Sequence, residues 1–143
     1  MFSSQSSEWI TPKELYDILN KVYKFDLDPC TTKDNPLGTK YYYTKETDGL
    51  CTIWPEDVTN VFINPPYNKE IGLWLYKAKF ECYRNPKIKH IVFLLPARTD
   101  TKWFHKYIYL NNKVQTTFLP GRLKFRGAKN SAPFPSMIVV FSK

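Results

Sequence analysis

VFINPPYN, residues 61–68, runs three apolar residues into Asn64 and then two consecutive prolines. Val61, Phe62 and Ile63 read as a short buried strand. Pro65 and Pro66 cannot continue a ladder, because each lacks a backbone donor and fixes its own φ. The strand therefore stops at Asn64, and Asn64, Pro65, Pro66 and Tyr67 are presented beyond its C-terminal end. In an open α/β sheet that edge is where ligands bind.

Elements on either side support such a sheet. Thr11 and Pro12 open a helix, with Thr11 as N-cap, Pro12 in the first turn and Glu14 at the third position. Leu15, Ile18, Leu19 and Val22 then recur at helical spacing. Residues 25–27 form a short strand closed by Asp28-Pro29, and a polar loop over 31–39 leads to a Tyr-rich strand at 40–44. Beyond the prolines, Ile71, Trp74, Leu75, Ala78 and Cys82 mark a second helix, ended by Pro86. IKHIVFLL at 88–95 is the strongest strand of the chain and stops at Pro96. A third helix over 100–111 carries Phe104, Tyr107 and Ile108 on one face, and strands at 114–119 and 137–141 follow each other directly. The order predicts a single-domain α/β fold, mostly parallel, with a C-terminal antiparallel hairpin. Residues 1–8 read as a flexible tail before a domain at 9–143.

The 143 residues suit one core, and 43% hydrophobic against 24% charged is a globular composition. No apolar run approaches the roughly 20 residues a membrane helix needs. MFSSQSSEW lacks the basic and apolar regions of a secretory signal, so a cytoplasmic protein is expected. Cys30, Cys51 and Cys82 are odd in number and far apart, which argues against a disulfide framework. His90 and His105 have no partners at metal-ligand spacing, so no metal site is expected.

The net charge of +8 points to an anionic partner, nucleic acid being the commonest. Every charged side chain after Asp100 is a Lys or Arg. Arg122, Lys124, Arg126 and Lys129 crowd into the last loop, with the aromatic Phe125 among them.

The turn has a chemical use. Asn64 offers a side-chain carbonyl, and Pro65 a backbone carbonyl with no competing N–H. Two fixed acceptors can take both hydrogens of an amino group, drawing its nitrogen lone pair out of conjugation. Tyr67 adds an aromatic face for a planar base, a contact worth about 1–3 kcal/mol. That arrangement suits methyl transfer to an exocyclic amine or an amide.

With these residues assembled, the chain resembles the phage-type DNA N6-adenine methyltransferases (Dam-like), a group that uses S-adenosylmethionine. The resemblance runs from Trp9 to Phe141. Trp9-Ile10-Thr11-Pro12 is similar to the family's opening segment, associated with the methyl donor. Leu27-Asp28-Pro29-Cys30 resembles its first cofactor loop, and Asp48-Gly49-Leu50 the segment that brings a carboxylate near adenine or cofactor. Asn64-Pro65-Pro66-Tyr67 corresponds to the catalytic motif. Leu95 to Thr99, with Arg98, and Gly121 to Phe125 resemble later motifs.

The resemblance implies a Rossmann-like methyltransferase sheet acting on double-stranded DNA. It implies Trp9, Thr11, Pro12, Asp28, Pro29, Cys30 and Asp48 at the donor, and Arg98, Arg122, Lys124 and Phe125 at the nucleic acid, where the charge of the same loop adds Arg126 and Lys129. Where related sheets carry a glycine-rich turn after strand one, this chain has Thr31-Thr32-Lys33-Asp34-Asn35. The same segment is short for a packing helix, so a homodimer covering the exposed face is a further expectation. Two alternatives share the Asn-Pro-Pro-Tyr turn: a methyltransferase of RNA or of a protein amide, and a catalytically decayed basic DNA-binding module.

Overall fold

The computed structural model describes residues 9–143, so the tail expected at 1–8 lies outside the described residues. Helix α1 is Lys13–Tyr23, followed by strands β1 (Leu27–Asp28), β2 (Tyr41–Tyr42) and β3 (Asn60–Ile63). Helix α2 (Ile71–Arg84) leads to β4 (His90–Pro96), a π-helical turn at Phe104–Ile108, β5 (Val114–Phe118) and β6 (Ser136–Ser142). One six-stranded sheet runs in the order β2-β1-β3-β4-β6-β5. The first four strands in that order are parallel, and β6 is antiparallel to both β4 and β5. This is the expected single-domain α/β fold, with an organisation consistent with a methyltransferase-like sheet. No helix among the described residues is long and apolar enough to cross a membrane.

Two features of this topology place a site. The chain leaves β1 for β2 on one side and then returns to β3 on the other, so the strand order reverses between β1 and β3. A crevice forms at such a reversal, outside the carboxyl ends of the strands. The second feature is the reversed direction of β6. Ser136 pairs with Pro96, so β6 begins where β4 ends. The β5–β6 loop at 119–135 is thereby delivered to the rim that holds the C-terminal ends of the parallel strands.

The core is built on β4, whose Ile91 to Leu95 are fully buried. A continuous apolar run of this kind belongs to a strand covered on both faces. Between β1 and β2, and again between β2 and β3, there is no helix. Those crossovers are held instead by buried polar and aromatic anchors. Glu81 of α2 is fully buried, pairs with Lys77 at 2.8 Å and with Arg84 at 2.7 Å, and accepts from the Trp54 amide at 3.3 Å. Arg84 reaches on to Glu56 and to the Trp54 carbonyl. The cluster holds the strap 49–56 against α2.

Several local expectations change. Pro12, not Thr11, is the N-cap of α1, and no side chain caps the helix. The Thr11 hydroxyl is engaged elsewhere, as described below. The inward face of α1 carries Tyr16, with Leu15, Leu19 and Tyr23 partly buried, while Ile18 and Val22 stand 64% and 72% exposed. Rotating the helix this way places Tyr16 5.6 Å from Phe25 and 5.3 Å from Phe62, an aromatic burial that outweighs two aliphatic side chains. The helix expected over 100–111 is shorter, with Lys102 and Trp103 leading into a π turn at Phe104–Ile108, and Phe104, Tyr107 and Ile108 do point inward. The strand expected at 40–44 is confined to Tyr41–Tyr42, and that at 25–27 is displaced to Leu27–Asp28.

Candidate active site

Adjacent parallel strands β1 and β3 deliver Asp28 and Asn64 to the same rim, with Leu27 registered on Val61. Asn64 is the better defined of the two. Its Nδ2 donates to the Trp9 carbonyl and to the Thr11 hydroxyl, the latter at 2.9 Å. A backbone carbonyl can only accept, so the amide nitrogen must face Trp9 and the oxygen must face away. That oxygen, Oδ1, is buried and has no hydrogen-bond partner among the described residues. Buried polar atoms are rarely left unmatched, and a catalytic role is one explanation for such an atom; Trp74 Nε1 and Ser136 Oγ are the other two among the described residues. Pro65 beside it is buried, and its missing N–H leaves the local backbone with acceptors only.

Tyr67 is 4% exposed, and its hydroxyl donates to the Leu94 carbonyl of β4 at 3.0 Å. Burial raises the phenol well above its ordinary range, with Arg98 acting weakly in the opposite direction. The Tyr67 ring meets Phe125 at 6.1 Å and Phe134 at 5.6 Å, both edge-on. The Trp9 indole packs on the same two rings at 5.4 and 5.2 Å. Arg98 lies over Phe134 at 5.7 Å. The rim is thus roofed by an aromatic cluster contributed by loop 119–135. Hydrogen bonds from the Ala97 amide to Pro135, the Leu119 amide to Ser136 and the Arg126 amide to Ile10 hold that loop in place.

Asp28 is 3% exposed. Desolvation pushes its carboxyl from 3.8 up to about 7, and hydrogen bonds from the Cys30 amide and the Thr31 side chain offset only part of that rise. The Tyr16 phenol is pushed up to about 12, first by burial and then by the charge on Asp28. A buried carboxylate with this cost is suited to a cationic ligand, whose charge would restore its ionisation.

Pro29 is pressed against the neighbouring strap. A Cβ on Gly49 would lie 2.1 Å from the Pro29 carbonyl oxygen, so only glycine permits this approach. Trp54 Nε1 anchors the same residue by donating to the Gly49 carbonyl at 2.9 Å. Gly49→Ala is expected to cost about 2–3 kcal/mol of stability by forcing two backbones apart, seen as a lower urea midpoint at unchanged m-value.

The geometry redistributes several expected roles. Thr11 and Trp9 engage Asn64 directly, and Pro12 is the N-cap of α1. Asp48 is exposed, and its carboxylate is turned into its own loop, accepting from the Leu50 and Cys51 amides at 3.2 and 3.1 Å. The Cys51 thiol adds a further bond, and together these hold the Asp48 carboxyl below its ordinary value. Phe125 is 2% exposed and forms part of the roof, so the nucleic-acid stacking expected of it does not fit its burial. Its neighbours differ. Arg122, Lys124, Arg126 and Lys129 are all exposed, and none joins an ion pair among the described residues. His90 and His105 have local partners, Asn60 and the Thr99 carbonyl.

Sequence reasoning did not find Phe134, Tyr16 or the Trp9–Asn64 link. The link joins residues 55 positions apart, and no local pattern marks it.

The reversal point, the orphaned Asn64 acceptor, the buried Asp28 and the exposed basic loop share one rim. No curated protein matches the chain. The family model described as DNA N-6-adenine-methyltransferase (Dam) matches residues 2–143, and the chain belongs to that family.

Proposed function

We propose that this chain transfers a methyl group from S-adenosylmethionine to the N6 amino group of adenine in double-stranded DNA, at specific sites, in the cytoplasm. Membership of the family supports the reaction class. The observation that carries the reading is Asn64 Oδ1, a buried acceptor with its own amide hydrogens already committed.

In this reading Asn64 Oδ1 and the Pro65 carbonyl accept the two hydrogens of the flipped adenine's amino group. The nitrogen lone pair is then turned toward the donor, and no strong base is needed for attack. Tyr67 stays hydrogen-bonded to Leu94 and offers its ring to the base. S-adenosylmethionine, when bound, supplies an electrophilic methyl on a sulfonium centre. Asp28, buried at the C-terminal end of β1 with Pro29 and Cys30 beside it, offers the carboxylate that a cationic donor needs. Because Tyr67 and Phe125 are closed over in the arrangement described above, loop 119–135 has to yield before a base can enter.

Arg122, Lys124, Arg126 and Lys129, exposed on that loop, grip phosphates of the DNA. Lys124→Ala is expected to weaken DNA binding evenly across sequences and to shrink the slope of log K against log[salt] by about 0.9, measured by fluorescence anisotropy over a salt series.

The test of the function is transfer of labelled methyl from S-adenosylmethionine to duplex DNA, followed by nucleoside mass spectrometry. N6-methyladenosine supports the proposal. Transfer to RNA or to a protein amide, but not to DNA, would replace the substrate. Failure to bind the donor would leave only a basic DNA-binding module.

A further inference from the structure

We infer that Thr11 is a positioning residue for Asn64: its hydroxyl, together with the Trp9 carbonyl, locks the Asn64 amide so that Oδ1 is the acceptor presented to the substrate amine. This rests on the reading of Asn64 as the amine acceptor, and it departs from a donor-binding role for the opening segment.

An asparagine side chain can rotate by half a turn and exchange its donor and acceptor ends. If that happened here, an N–H would face the incoming amino group and the site would repel its substrate. Two acceptors prevent it. The Trp9 carbonyl receives one Asn64 N–H, and the Thr11 hydroxyl, 5% exposed, receives the other at 2.9 Å. Rotating the amide would set its oxygen against the Trp9 carbonyl and leave both N–H groups unmatched in a buried place, each at substantial cost. Committing both hydrogens also shifts amide electron density toward Oδ1 and strengthens it as an acceptor.

The geometry explains why Thr11 does not cap α1. Its hydroxyl lies on Asn64, and Pro12 takes the N-cap position without a side-chain bond. The sequence signal for a capping box falls on this residue, but the buried Thr11 hydroxyl is taken by a partner 53 positions away.

The decisive comparison is Thr11→Val with Thr11→Ser. Valine keeps the branched shape and removes the acceptor, whereas serine keeps the acceptor and removes a methyl. In the methyl-transfer assay Thr11→Val is expected to lower kcat roughly tenfold to a hundredfold, with KM for S-adenosylmethionine and DNA little changed. Thr11→Ser is expected to retain activity within about threefold. A second readout needs neither substrate. In ¹⁵N-labelled protein the Asn64 side-chain amide hydrogens should exchange slowly with solvent, and the protection should be lost in Thr11→Val and kept in Thr11→Ser.

Equal losses in the two variants would reduce Thr11 to a packing residue and overturn the inference. So would a raised KM for the donor at unchanged kcat, which would return Thr11 to donor binding. Protection that follows the hydroxyl, in a chain where Asn64→Ala does not impair transfer, would uphold the clamp and sink the role of Asn64 instead.

Discussion

Asn64→Ala is expected to lower methyl transfer by roughly a thousandfold or more, with affinity for S-adenosylmethionine nearly unchanged. The substitution removes the side-chain acceptor at the end of β3 and leaves the Pro65 carbonyl to hold one hydrogen of the amine. With a single acceptor the amino group is free to rotate back into conjugation with the purine, and both the orientation and the polarisation are lost together. Because the Asn64 contact to the amine forms only once the base is inserted, kcat and kcat/KM should fall by similar factors. Truncation also removes the hydrogen bonds that Asn64 Nδ2 gives to Trp9 and Thr11, so some stability will be lost, and the fold of the variant has to be checked by circular dichroism. Donor titration by calorimetry then separates the outcomes. Wild-type turnover with Asn64 absent would end the amine-holder account of the turn, however well the remainder of the fold fits. Loss of donor binding alongside turnover would move Asn64 from the amine to the donor.

How far the sequence foretold this arrangement depended on the range of the forces involved. The Val61–Ile63 strand and its abrupt stop were legible because proline acts on its own backbone and on its immediate neighbour. The run at 88–95 was legible as the strongest strand from the apolar residues that follow His90, and Ile91 to Leu95 are fully buried. Periodicity was less dependable on α1, where Ile18 and Val22 matched the helical stripe yet lie outside it. The burial of Tyr16 against Phe25 and Phe62 set the rotation, and those partners come from two different strands. Lys77 and Glu81 had the spacing of an exposed ion pair but are buried, because Trp54 and the strap it anchors close over them. At the site, Asn64 and Asp28 could be placed on one rim from strand endings alone. Phe125 could not. Its basic neighbours argued for a surface ring, whereas Trp9, Tyr67 and Phe134, each distant in sequence, draw it inward.

Asp28→Asn is expected to stabilise the donor-free protein at pH 8 while abolishing its response to the donor. The sign follows from proton uptake. Folding raises the Asp28 carboxyl from 3.8 to about 7, so between those values the native state holds a proton that the unfolded chain has released. Stability therefore falls as pH rises through this window, and the full penalty applies above about 7. At 1.36 kcal/mol per pH decade the rise corresponds to about 4 kcal/mol. Asparagine carries no charge to desolvate, and its oxygen can still accept from the Cys30 amide, but its NH2 needs an acceptor of its own. The net gain at pH 8 should accordingly be about 2–4 kcal/mol, vanishing at pH 3, where both side chains are neutral. Urea unfolding at the two pH values measures it. Donor binding should run the other way. In the wild type, affinity for S-adenosylmethionine should climb with pH through about 7 as the carboxylate forms, and saturating donor should raise Tm at pH 8. The variant should show neither effect. A variant that is less stable than the wild type at pH 8 would mean that a counter-charge already satisfies Asp28. One that still binds the donor tightly would place the donor's cationic group elsewhere on the rim. Loss of stability at the site in exchange for ligand affinity is the usual signature of a carboxylate held for function, and Asp28 is the residue of this chain at which the two can be weighed separately.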